Sequence, residues 1–129
     1  MILYCKQISI SDDDLGCQVT FYEKEQLTEE TAKMSVQEII DSIGRYLLLQ
    51  RSYPEDDFGR DSFYFETHDE NLCGDLVDYE MMLLRTRFEL NILSETIEIS
   101  INPTMEEFTQ LKKLLPILTD RKGKLIIND

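Results

Sequence analysis

Ile97-Glu98-Ile99-Ser100-Ile101 alternates apolar and polar residues without a fault, the period of a strand with one buried and one wet face. The same period returns at Val19 and Phe21, with Gln18, Thr20 and Tyr22 predicted outward, and at Phe63 and Phe65, with Tyr64 and Glu66 between them. Helical spacing occurs in only two places. A chain patterned in this way is bound to an α+β fold: we expect a mostly antiparallel β-sheet with two helices packed on one face. With 129 residues it is expected to form one domain, 1–129, with a core that needs no staples.

The strand segments follow in order. Ile2 to Ile10 is read as one strand with Ile2, Tyr4, Ile8 and Ile10 on one face. Ser11 to Gly16 is a turn by composition, and Cys17 to Tyr22 completes a hairpin. Glu23 to Met34 is charged and aperiodic, a loop. Tyr46 to Gln50 and Asp61 to Thr67 are strands, and His68 to Asp78 is loop-like. Tyr79 to Ile92 is long enough for two strands meeting near Arg85-Thr86, and Lys124 to Ile127 is a last edge strand.

The helices are marked by their ends. Ser35 and Glu38 form a capping box ahead of Val36, Ile39, Ile40 and Ile43, and Gly44 stands where a left-handed cap belongs. Thr104 and Glu107 repeat the box before a stripe of Met105, Phe108, Leu111 and Leu115. Pro116, which lacks an N–H and crowds the carbonyl of Lys112, is expected to end or kink that helix near Leu115. Lys112 and Lys113 would then sit near its C-terminal end and suit the dipole.

Charge is concentrated rather than spread. Between Ser52 and Glu80 stand ten acids and one base, so that this stretch carries nine of the thirteen net negative charges. The last 49 residues are neutral. Such a balance disfavours binding to nucleic acid, whose phosphates supply most of that affinity, and to anionic membrane. It suits a basic protein partner. A solvated, solubilising loop is the other reading of the same acids. No apolar run approaches the roughly 20 residues of a membrane span, and the N-terminus lacks a leader pattern, so a cytoplasmic location is expected.

Motifs for chemistry are sparse. His68 is the sole histidine, and no glycine-rich phosphate loop occurs. Carboxylate pairs are too many for any one to be singled out as acid and base. Cys5, Cys17 and Cys73 make an odd count without paired spacing. This indicates neither zinc nor a disulfide framework, although Cys5 and Cys17 could face each other across the hairpin. Asp69 to Glu80 puts Asp, Asn, Gly, an aliphatic and Glu at five positions of a calcium loop, but Cys73 replaces a hard ligand and strands flank it. No cofactor or metal is expected.

Taken in order, Tyr46-Leu47-Leu48-Leu49-Gln50-Arg51-Ser52, Phe63-Tyr64-Phe65-Glu66-Thr67, Tyr79-Glu80, Leu84 to Leu90, Ile97 to Ile101 and Met105-Glu106-Glu107-Phe108 resemble immunity protein family ten of bacterial polymorphic toxin systems. The resemblance implies a non-enzymatic antitoxin that binds and neutralises a cognate toxin, commonly a nuclease domain with a basic groove. The acids and interleaved aromatics make Asp56, Asp57, Asp61, Tyr64, Glu66, Asp69, Glu70, Asp75, Asp78 and Tyr79 the candidate partner-binding set. The competing expectations are a cytoplasmic adaptor with a solubilising acidic loop and, more remotely, an acid–base hydrolase.

Overall fold

The computed structural model describes residues 1–26, 35–53, 62–93, 95–119 and 124–128, with the side chains of Ile40 and Ser62 excepted. The expected loop therefore lies outside the described residues from position 27 to 34, as do Asp56, Asp57 and Asp61. The class is α+β, and six of the eight strand pairings among the described residues are antiparallel. The strands form two sheets rather than the single one expected.

The first sheet has the order β1 (Ile2–Tyr4), β9 (Thr96–Ser100), β8 (Arg87–Ile92), β7 (Tyr79–Leu83), β10 (Lys124–Ile127). The second runs β2 (Gln7–Asp12), β3 (Gly16–Tyr22), β4 (Tyr46–Ser52), β5 (Ser62–Thr67), β6 (Cys73–Asp75). Their apolar faces meet. Phe21 of β3 stacks on Phe88 of β8 with centroids 4.9 Å apart, and Phe63 of β5 meets Tyr79 of β7 edge-on at 5.4 Å. Val19, Leu47, Leu49 and Phe65 from one sheet, and Met81, Leu83, Leu90, Ile97 and Ile99 from the other, complete this buried layer. Each such side chain contributes roughly 1.5–3 kcal/mol by leaving water.

The reading of Ile2 to Ile10 as one strand is corrected here. Cys5 N–H donates to the Ser100 carbonyl of the first sheet at 2.8 Å, and Lys6 N–H donates to the Tyr22 carbonyl of the second at 2.8 Å. Neighbouring residues thus belong to different sheets, and the face changes between them. Leu3 is 1% exposed, whereas Ile2, expected inside, is 54% exposed. The switch also separates the thiols: Cys17 lies opposite Asp12 in the sheet, and no disulfide joins the three cysteines. Burial pushes the Cys5 thiol up to about 11, which suppresses its reactivity.

The first helix, α1, spans Val36–Ile43 as the capping pattern predicts. Ser35 Oγ accepts from Glu38 N–H at 3.2 Å. Gly44 takes φ +68°, a backbone conformation that calls for glycine. Its apolar stripe is less covered than expected. Val36 is 74% exposed, and Ile39 and Ile43 are half-buried.

The second helix, α2, spans Met105–Thr119 and contacts β10 of one sheet and β2, β3 and β4 of the other. Its capping box is reciprocal: Thr104 N–H to Glu107 Oε1 at 2.9 Å, and Glu107 N–H to Thr104 Oγ1 at 3.1 Å. Phe108, Leu111, Leu114, Leu115 and Leu118 are buried; Met105, expected among them, is exposed. Pro116 does not end the helix. Its ring lies on the exposed side, while the last turn is fastened by Arg51 Nε–H to the Leu118 carbonyl at 2.6 Å and by Thr119 Oγ1 to the Leu115 carbonyl at 3.1 Å. Lys112 and Lys113 consequently lie mid-helix. The Lys112 ammonium stands 5.3 Å from the centre of the Phe108 ring.

Candidate protein-binding face

Strand alternation gives the second sheet two unlike faces. Phe63 and Phe65 turn inward, so Tyr64 and Glu66 turn outward, beside Tyr46, Leu48 and Gln50 of β4 and Gln18 and Tyr22 of β3. Asp75 of β6 stands directly opposite Tyr64, on the same face. Thr20, predicted outward, belongs to this row but is buried.

Glu66 organises the face. Tyr46 Oη donates to Glu66 Oε2 at 2.6 Å, and Tyr64 Oη donates to Glu66 Oε1 at 3.2 Å. Desolvation, and then the bond to the Glu66 carboxylate, push both hydroxyls above their ordinary range, which keeps them protonated donors. The Tyr22 and Tyr46 rings lie with centroids 6.3 Å apart at 42°. Between them, Leu48, Ile43 at the end of α1, and Glu66 is a recess of about 250 Å³.

The other candidates divide. Asp69 and Glu70 are exposed in the turn after β5, where Asp69 Oδ1 accepts from Asn71 N–H at 3.0 Å. Asp78 is exposed between β6 and β7. Together with Asp75 it borders a second cleft of about 450 Å³, walled by Phe65, Leu72, Leu76 and Ile92, beside which Val77 and Leu93 are exposed.

Tyr79 is a correction. It is 4% exposed, packs on Phe63 and donates its hydroxyl to the Thr119 carbonyl at 3.3 Å, so it builds the core and cannot anchor a partner at the surface. Phe63 and Phe65, part of the same interleaving, are core residues too. The aromatic members of the face that the charge pattern overlooked are Tyr22 and Tyr46. Period two through Tyr46-Leu47-Leu48-Leu49-Gln50 was the available signal, since buried Leu47 and Leu49 force Tyr46 outward.

The calcium-loop pattern falls partly on strands. Cys73–Asp75 are a strand, Leu76 is buried between the sheets, and Tyr79 and Glu80 open β7. Among the described residues no three His, Cys, Asp or Glu side chains gather in a metal-binding group. His68 is exposed, its Nδ1 accepting from Tyr46 N–H at 3.3 Å. No helix among the described residues is long and apolar enough to cross a membrane. No family model matches the chain, and no curated protein or solved structure proved significantly similar to it.

Proposed function

We propose that this protein is a non-enzymatic binding module, an immunity-type inhibitor that covers a basic groove on a toxin domain, with a nuclease the toxin class best suited to it. The observation that carries this reading is Glu66, held outward by two tyrosine hydroxyls on a rigid sheet, with Asp75 across from Tyr64 on the same face. A fixed carboxylate among tyrosines loses little freedom on binding, which is what an interface anchor needs. The acids Asp69, Glu70 and Asp78, exposed in the turns after β5 and β6, add negative potential that would speed encounter with a basic surface. The resemblance to the immunity family agrees in kind. A cytoplasmic location follows from such a role, because the toxin must be met inside the producing cell.

Co-expression tests this reading. A toxin domain encoded in the adjoining reading frame should arrest growth alone and lose its effect when this chain is co-expressed. Growth arrest that persists despite soluble expression of both chains would overturn the proposal.

The exposed Val77 and Leu93 beside the acidic-rimmed cleft favour a second reading, an adaptor that binds through apolar contact. Salt separates the two. Electrostatic docking weakens as ionic strength rises, and apolar docking does not.

A further inference from the structure

Among the described residues, the recess between Tyr22, Tyr46, Leu48 and Ile43 is lined by one charged group, Glu66. At about 250 Å³ it falls below the roughly 300–1,000 Å³ of sites that take whole small molecules. It has room for the head of one side chain. Tyr22, Tyr46, Leu48 and Ile43 share its walls with the uncharged polar side chains of Gln18, Thr20 and Gln26, and its charge is negative, so the complementary occupant is a cation that combines an apolar stem with hydrogen-bond donors.

The hydrogen bonding of Glu66 narrows the choice. A carboxylate offers about four lone-pair sites, two on each oxygen. Tyr46 occupies one on Oε2 and Tyr64 one on Oε1, which leaves one acceptor site on each oxygen. Two parallel acceptors match the planar two-donor fork of a guanidinium. The Tyr22 and Tyr46 rings stand too close, at 6.3 Å, to sandwich a third plane, but either can carry a guanidinium on its open face. An ammonium has neither the fork nor the plane and holds its water more strongly.

We infer that this recess is an anchor site for the guanidinium of a partner arginine, paired with Glu66 and stacked on the tyrosine wall. The inference rests on the reading above in taking its occupant from a basic protein. Its chemistry is measurable without that protein.

The test is an NMR titration of the ¹⁵N-labelled full chain at low salt with argininamide, lysinamide and tetramethylammonium. Argininamide should produce saturable shifts at the amides of Tyr22, Tyr46, Leu48 and Glu66, and the other two cations should not. Glu66→Gln preserves shape, and its amide can still pair with both hydroxyls, but it removes the charge; affinity for argininamide should fall about tenfold or more. Tyr22→Leu should also weaken binding, and it decides the matter if Glu66→Gln does not fold. Equal responses to lysinamide, shifts confined to Asp69–Asp75, or no saturation would each overturn the site. Toxin protection without argininamide binding would refute the recess alone. Argininamide binding without toxin protection would refute the inhibitor reading alone.

Discussion

Tyr46 and Glu66, on adjacent strands, are joined by a hydrogen bond of 2.6 Å, the shorter of the two that fix the Glu66 carboxylate. This bond ties the stability of the sheet to the charge it presents. Burial and the carboxylate raise the Tyr46 hydroxyl above its ordinary value of 10.0, so the folded chain holds that proton more tightly than the unfolded one.

An alkaline signature follows. A group raised on folding contributes its full stabilisation below its unfolded value, and the contribution is lost as pH rises through the folded one. Stability should therefore fall steadily above about pH 10. Tyr46→Phe should flatten that fall and cost about 1 kcal/mol at neutral pH, a charged hydrogen bond reduced by solvent. Urea denaturation from pH 7 to 11.5 reads both effects; an unchanged alkaline slope in the variant would contradict the assignment.

Phe21 and Phe88 link the two sheets through a stacked pair. Replacing either by alanine should cost about 3–5 kcal/mol. A double-mutant cycle should return a coupling of about 0.5–1.5 kcal/mol, read by chemical denaturation. Additive losses would mean that the sheets are not joined at this point.

Pro116 sits inside a helix that continues through it. Because its ring is exposed and the turn beyond is held by Arg51 and Thr119, Pro116→Ala should restore a backbone donor without disturbing the core. The expected gain is about 1–3 kcal/mol, visible as a higher denaturation midpoint. A loss would show that the proline shapes the last turn.

What the sequence disclosed was local. The bounds of α1 follow from Ser35 and Gly44, the start of α2 from Thr104 and Glu107, and the β7–β8 turn from the length of its apolar run. These signals act within four residues, where a side chain and a backbone group settle the geometry between themselves. The two-sheet arrangement was hidden because it turns on a change of partner between Cys5 and Lys6, which leaves the composition of Ile2 to Ile10 strand-like throughout. The parallel pairings of β1 with β9 and of β7 with β10 join distant segments that carry no local mark. Pro116 misled for a related reason, since tertiary bonds to Leu118 and Thr119 outweighed a local penalty.

At the candidate face the charge pattern singled out Tyr64, Glu66 and Asp75, but it also took Tyr79 for a surface residue and passed over Tyr22 and Tyr46. Tyr79 lies among acids in sequence yet turns into the core, while Tyr46, hidden in a leucine run, turns out to meet Glu66. Charge is visible in composition; the direction of a side chain depends on strand phase. Gly44 and Ile43, which bring α1 to the edge of the recess, carry no charge signal.

The central claim is that the Glu66 and Asp75 face engages a basic protein. Its most direct test is the association rate of this chain with a toxin domain taken from an adjoining reading frame, measured at low and at physiological salt. The comparison is with Glu66→Lys, Asp75→Lys and Asp78→Lys combined in one chain. We expect fast, salt-sensitive association that drops at least about tenfold on charge reversal. An association rate indifferent to both salt and reversal would contradict the account.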